Sequence, residues 1–135
     1  MNQLKTDTAL HRYIEVDEGF YHAYESYLPD IETIARIHTL QPRAHVVTPS
    51  RYTCKDCVRN LPQMARIAEH LPGWTWEVFD SSADPERRAA LHITRVPTFV
   101  VYEYEGGPEL GRIIENPTSG SLEYDLLQIV QPPNP

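Results

Sequence analysis

Two cysteines, Cys54 and Cys57, stand three positions apart in the stretch Tyr52-Thr53-Cys54-Lys55-Asp56-Cys57, and the sequence has no others. Their type and spacing suit thiol–disulfide chemistry. An apolar run, Ala44-His45-Val46-Val47, stops just before this stretch, and a helical pattern begins inside it. A helix N-terminus leaves backbone N–H groups unpaired and carries partial positive charge. A thiolate placed there is stabilised. Cys54 is therefore expected to ionise below the free-cysteine value of about 8.5 and to be the more accessible thiol. Cys57, one turn on, is expected to face the interior, close enough to form a disulfide. The spacing admits two other readings. Structural zinc wants four ligands, and neither His45 nor His70 has a partner at ligand spacing. Two unrelated buried cysteines are the third possibility.

The charges near the pair are mixed. Six acidic residues and no Lys or Arg fall between Tyr13 and Ala35, whereas four Lys or Arg and no acid lie from Thr33 through Lys55. Arg51, Lys55 and Arg59 would favour a thiolate if the fold brought them near it. The simpler reading of each is a solvated surface charge. Lys55 and Asp56 act in opposite senses on Cys54 and partly cancel.

The totals narrow the classes. A chain of 135 residues with 41% hydrophobic content suits one domain with a real core. A net charge of −7, from 19 acidic and 12 basic residues, argues against a nucleic-acid partner. No apolar run is long enough for a membrane span. The first residues, Met1 to Asp7, lack the layout of a secretion signal, so a cytoplasmic location is expected. In a reducing compartment a cysteine pair is more often catalytic than a staple.

The elements that must hold the pair can be read from period and punctuation. Residues 1–12 show no clear period and either fray or form a short helix. Phe20, Tyr21, Tyr24 and Leu28 share a helical face, opened by Asp17 and Glu18; covering the core is its simplest use. Pro29 breaks this pattern, and Ile31, Ile34, Ala35 and Ile37 or His38 line a second helix ending near Leu40. Pro42 and Pro49 bracket a short buried strand, Arg43 to Thr48. Val58, Leu61, Ala65, Ala68 and Leu71 make one face of the helix after the cysteines, with Pro62 inside it. Trp74 to Asp80 alternates as a strand. Asp84 and Pro85 open a short helix. Phe99 to Tyr104 and Leu110 to Glu115 form a hairpin about Gly106-Gly107. Ser119 or Ser121 caps a last helix carrying Leu122, Leu126, Ile129 and Val130. The order is helices, then β-α-β-α-β-β-α, with the first two strands parallel.

That order resembles the thioredoxin superfamily. Cys54-Lys55-Asp56-Cys57 stands where the family keeps its redox pair. Pro62, five residues past the second cysteine, matches its helix-kinking proline. Val96-Pro97-Thr98 matches the loop whose proline is cis and faces the cysteines. The resemblance covers roughly residues 43–130. It implies an α/β thioredoxin-like fold: a central mixed sheet of about four strands flanked by helices. Residues 1–41 would be an N-terminal helical segment packed on a core of residues 42–131, in a single domain. It also implies a thiol–disulfide oxidoreductase with Cys54 as nucleophile and Cys57 as resolving thiol. Val96, Pro97 and Thr53 would contact substrate, and Lys55 and Asp56 would modulate the thiols. The redox-active disulfide Cys54–Cys57 would replace any bound cofactor. Partners would be a disulfide-containing protein or a small thiol, and a reductant system. The sequence departs from thioredoxin proper in Thr53 and Lys55-Asp56. It also has Thr48 where thioredoxin keeps a buried proton-transferring aspartate. Asp56, Glu77, Asp80 or solvent would have to substitute. A binding or adaptor protein with a non-catalytic cysteine pair is the alternative on the same fold.

Overall fold

The computed structural model describes residues 8–15, 18–51 and 53–132. The expectations placed on residues 1–7, Asp17, Tyr52 and residues 133–135 lie outside the described residues. Three helices come first: α1 (Ala9–Ile14), α2 (Glu18–Ser26) and α3 (Ile31–Leu40). Then follow β1 (Ala44–Ser50), α4 (Lys55–Ala68), β2 (Trp74–Asp80), α5 (Pro85–Ala90), β3 (Thr98–Tyr102), β4 (Glu109–Ile114) and α6 (Leu122–Val130). The strands form one four-stranded sheet in the order β2-β1-β3-β4. β1 and β2 are parallel, as a crossover through α4 requires. β3 runs antiparallel to both β1 and β4. The fold is an α/β thioredoxin-like one: a mixed sheet flanked by helices.

β1 is the central strand, and every one of its residues is buried. Alternation puts Ala44, Val46, Thr48 and Ser50 on one face and His45, Val47 and Pro49 on the other. Ala44 and Val46 belong to the core cluster that also holds Cys57, Leu61, Met64, Ala65 and Ala68 of α4. The even face of β1 is thus the floor beneath α4. The strand differs from expectation at its C-terminal end, where it continues through Pro49 to Ser50. β3 pairs with β1 only at His45, Val46 and Val47, so beyond Val47 β1 has a ladder on one side alone. A proline, lacking its N–H, is tolerated at such a position.

The N-terminal helices also correct the sequence reading in detail. α1 forms, capped by the Thr8 side chain at the His11 N–H, and its Leu10 and Ile14 are fully buried. It packs on α4 and β2. α2 buries Phe20 and Tyr24 against the core, but it stops at Ser26, and Leu28 is 83% exposed in the link that follows. Asp30 caps α3 by accepting from the Glu32 and Thr33 N–H groups. α3 buries Ile34 and Ile37 only; Ile31 and Ala35, expected on its inner face, are exposed. At ten residues the helix presents one narrow buried stripe, and Ile31 and Ala35 lie outside it. In the hairpin, β3 ends at Tyr102, two residues early, at a register shift between Val101 and Tyr102. Gly106 takes φ +81 in the loop that follows, a conformation that glycine adopts without strain. Ser121, not Ser119, caps α6.

Because Leu10 and Ile14 are fully buried in the shared core, Leu10→Ala and Ile14→Ala should each cost roughly 2–5 kcal/mol of stability. Urea denaturation followed by circular dichroism measures it. A loss well under 1 kcal/mol in both variants would mean that α1 is not part of the cooperative unit.

Candidate active site

β1 delivers the chain to the start of α4, and a short turn holds the first cysteine there. The Cys54 N–H donates to the Arg51 carbonyl at 3.2 Å, and the Cys54 carbonyl accepts the Val58 N–H at 3.0 Å. Cys54 occupies the N-cap position, with extended backbone, and its Sγ accepts the Cys57 N–H at 3.3 Å. That position is ordinarily held by Ser, Thr, Asp or Asn. The same Sγ donates to the Val96 carbonyl at 3.4 Å. One sulfur therefore bridges the start of α4 and the loop before β3. Cys54 is partly exposed and Cys57 is completely buried, both as free thiols.

The depth difference has a chemical consequence. Burial pushes the Cys57 thiol up to about 12, because a thiolate there loses its hydration. Contact with Cys54 adds to the rise. The Ser50 hydroxyl and the Arg51 backbone N–H act in the opposite sense, favouring the thiolate. No Lys, Arg, His, Asp or Glu side chain is among the groups acting on Cys57.

The loop carrying Val96 and Pro97 is tied down on both sides. Thr98 Oγ1 donates to the Arg95 carbonyl at 2.6 Å, and Arg88 reaches the Ile93 and Thr94 carbonyls. The Glu115 N–H donates to the Pro97 carbonyl at 2.7 Å. The Val96–Pro97 peptide bond is cis, and both residues are buried. Asn60, buried in the second turn of α4, links this assembly to the helix. Its Nδ2 donates to the Asp56 carbonyl at 2.8 Å, the Glu115 carbonyl at 3.0 Å and the Asn116 side chain at 3.0 Å. α4 and the Pro97 loop are thus held in register through Glu115, which sits at φ +64, an uncommon backbone conformation for a residue with a Cβ.

The remaining expected site residues divide. Thr53 is exposed in the turn next to Cys54, and Lys55 is exposed on the first turn of α4. Asp56 is paired with Arg59 at 2.8 Å, and Arg59 also reaches Asn116. Arg59 is thus engaged by Asp56 and Asn116, and Arg51 acts on Cys57 through its backbone. Glu77 pairs with Arg87 and lies 3.6 Å from His45. Asp80 is exposed and accepts the Ser82 N–H. Neither Glu77 nor Asp80 is among the groups acting on Cys57. His45 faces away from α4, toward Thr75 and Glu77, and His70 is exposed beyond the other end of the helix. Among the described residues, no three His, Cys, Asp or Glu side chains gather in a metal-ligating cluster. Sequence reading missed Ser50 and Asn60. Ser50 shares the even spacing of Val46 and Thr48, a signal hidden once Pro49 is taken as the strand's end. Asn60 is a polar residue on the apolar side of an amphipathic helix, which is itself a signal.

Comparison with known proteins follows this geometry. The chain aligns with an HIV epitope-scaffold crystal structure at TM-score 0.73 and 17% identity, covering 92% of each chain. It aligns with a Pseudomonas aeruginosa protein of unknown function at TM-score 0.65 and 16% identity, covering 94% of this chain and 87% of that one. Both likenesses concern the fold alone. Fasciola hepatica thioredoxin aligns at TM-score 0.50 and 26% identity, over 62% of this chain and 79% of its own. No curated protein gives a significant match. The family model described as thioredoxin matches residues 3–122. With its cysteine pair at the β1–α4 junction, the chain belongs to the thioredoxin family.

Proposed function

We propose that this protein is a thiol–disulfide oxidoreductase acting on protein or small-thiol disulfides through Cys54 and Cys57. The thioredoxin-like fold with a neighbouring cysteine pair supports a redox function in general. The observation that carries the finer reading is the inequality of the two thiols. Cys54 is partly exposed at a helix cap, while Cys57 is fully buried one turn later. In the proposed cycle the Cys54 thiolate attacks a substrate disulfide. A Cys54–substrate disulfide forms, and the other substrate sulfur leaves and takes up a proton. Cys57 then gives up its proton, and its thiolate attacks Cys54 Sγ. The Cys54–Cys57 bond forms, the Cys54–substrate bond breaks, and the substrate leaves fully reduced. Two electrons pass from the dithiol to the substrate, and an external reductant must return them. Val96, whose carbonyl accepts from Cys54 Sγ, would receive the substrate chain together with Pro97 and Thr53, the backbone beside Pro97 pairing with it as an added strand. The working location would be the cytoplasm; among the described residues no helix is long and apolar enough to cross a membrane.

Incubation of single-cysteine variants with a disulfide-bonded protein such as insulin tests the cycle. Cys57→Ser should accumulate covalent adducts through Cys54, released by dithiol. Cys54→Ser should give about tenfold fewer, since the remaining thiol is buried and mostly protonated. Equal, negligible adducts in both, with no turnover of insulin by the intact protein, would sink the enzyme reading in favour of a binding protein.

The ionisation of Cys57 supplies a separate test. Its raised value means that it stays protonated through pH 9, the ordinary thiol range, and releases its proton only toward about 12. In Cys54→Ser the contribution of Cys54 to that rise is removed, but burial, the larger cause, remains. Alkylation of Cys57 in that variant, followed by mass spectrometry, should therefore still be climbing with pH above 9. A rate that levels off near pH 8–9, the range of an ordinary thiol, would contradict the assigned burial effect.

A further inference from the structure

We propose that Ser50 is the positioning residue that donates a hydrogen bond to the Cys57 sulfur as that sulfur becomes a thiolate. The inference rests on the dithiol cycle proposed above and addresses the step for which neither Thr48 nor any acid on β2 is among the groups acting on Cys57. Ser50 is the last residue of β1 and lies on its even face, the face that floors α4. Its exposure is 0%, and its Oγ has no hydrogen-bond partner among the described residues. A buried hydroxyl without a partner is costly and calls for an explanation. The Cys57 sulfur supplies one. The hydroxyl lies within its influence and favours the ionised form, in company with the Arg51 N–H. These observations agree once the state of the sulfur is considered. A neutral thiol is a weak acceptor, so the hydroxyl beside it forms no well-aligned bond. A thiolate is a strong one, and the bond becomes worthwhile only when charge develops.

Ser50 keeps its own proton throughout. The Cys57 proton leaves to solvent, the Cys57 thiolate attacks Cys54 Sγ, and the substrate sulfur departs and is protonated. The hydroxyl lowers the cost of the intermediate charge where no Lys, Arg or His side chain acts on the sulfur. Ser81 provides a matched control. It too is buried with an unpartnered Oγ, and its N–H donates to the Ser50 carbonyl at 3.1 Å, yet it is not among the groups acting on Cys57.

The test is Ser50→Ala in two backgrounds. In Cys54→Ser, alkylation of Cys57 is followed against pH. Loss of one charge-assisted hydrogen bond should lower the thiolate fraction about tenfold. Nucleophilicity rises with basicity with a slope of about 0.4–0.5, so the observed rate at fixed pH should fall about three- to fourfold. With both cysteines present, a chromogenic aryl disulfide reports two releases of aryl thiolate, one from attack by Cys54 and one from resolution by Cys57. Ser50→Ala should slow only the second, by a similar factor, and Ser50→Thr should return it toward the starting rate. Ser50→Gly deletes the same hydroxyl should the alanine variant fold poorly. An unchanged alkylation profile, or an equal slowing in Ser81→Ala, would overturn the proposal. Absence of any second release from the unmodified protein would overturn the dithiol cycle instead, a result that the alkylation profile distinguishes from a failure of the Ser50 contact.

Discussion

Burial of one sulfur is the constraint on which this site depends. Cys57 lies in the core cluster among Leu61, Met64, Ala65 and Phe99. A thiol is at home there, since free cysteine packs as a small hydrophobe. A thiolate is not, because ionisation in such surroundings forfeits hydration with little in return. The two cysteines come from one helical turn and share a hydrogen bond, so their sequence environments barely differ. Their depths do. A helix start that lay more shallowly on the sheet would expose both sulfurs and erase the distinction.

That depth is set by what clasps α4 from outside. At its far end Glu69 is largely buried and receives the Tyr24 hydroxyl, with His11 Nε2 at 3.2 Å and Arg66 at 3.6 Å. Burial first, and the neighbouring carboxylate second, push the Tyr24 hydroxyl up to about 12, so it remains a donor throughout the neutral range. α1 and α2 are anchored to the end of α4 by this network, and Arg66 stacks over the Tyr24 ring at 4.9 Å. A second buried acid, Glu123 of α6, accepts the Tyr27 hydroxyl at 2.5 Å and the Asp30 N–H at 2.7 Å, which fixes the link between α2 and α3. Buried polar networks of this kind contribute orientation more than net stability, because desolvation offsets much of their attraction. Here the orientation gained is that of the helix carrying the cysteines.

The parts of this arrangement that were legible in the sequence are those written in local pattern. Two cysteines after a short apolar strand, Asp84-Pro85 at a helix start and the run Phe99 to Tyr102 each announce themselves through period or capping chemistry. The parts that were not legible depend on partners distant in sequence. Leu10 and Ile14 are four residues apart, but in a polar stretch too short to show a period, and only contact with α4 and β2 explains their burial. Pro49 reads as a strand end because the lack of a partner from β3 at that point is invisible in one dimension. The same error hid Ser50. Glu77 and Asp80 looked available for proton transfer; Glu77 is in register with Val47 on the face away from α4 and pairs with Arg87, while Asp80, in register with Ser50, is exposed and engaged by the Ser82 N–H.

Charge plays a smaller part here than the sequence suggests. Two arginines near the site are paired with acids once folded: Arg59 with Asp56 at 2.8 Å and Arg95 with Glu115 at 3.2 Å. These are exposed or half-exposed pairs, which water and salt weaken. What separates Cys57 from an ordinary thiol is burial first and contact with Cys54 second, opposed by a hydroxyl and a backbone N–H. All of these act on a sulfur buried inside the protein, where mobile ions do not enter. A thiol pair differentiated by depth keeps that difference at any ionic strength at which the chain remains folded. A pair differentiated by surface lysines and arginines would lose part of it as salt rises. The geometry of α4 on β1, and not the sign of the surface around it, is therefore what distinguishes one cysteine from the other.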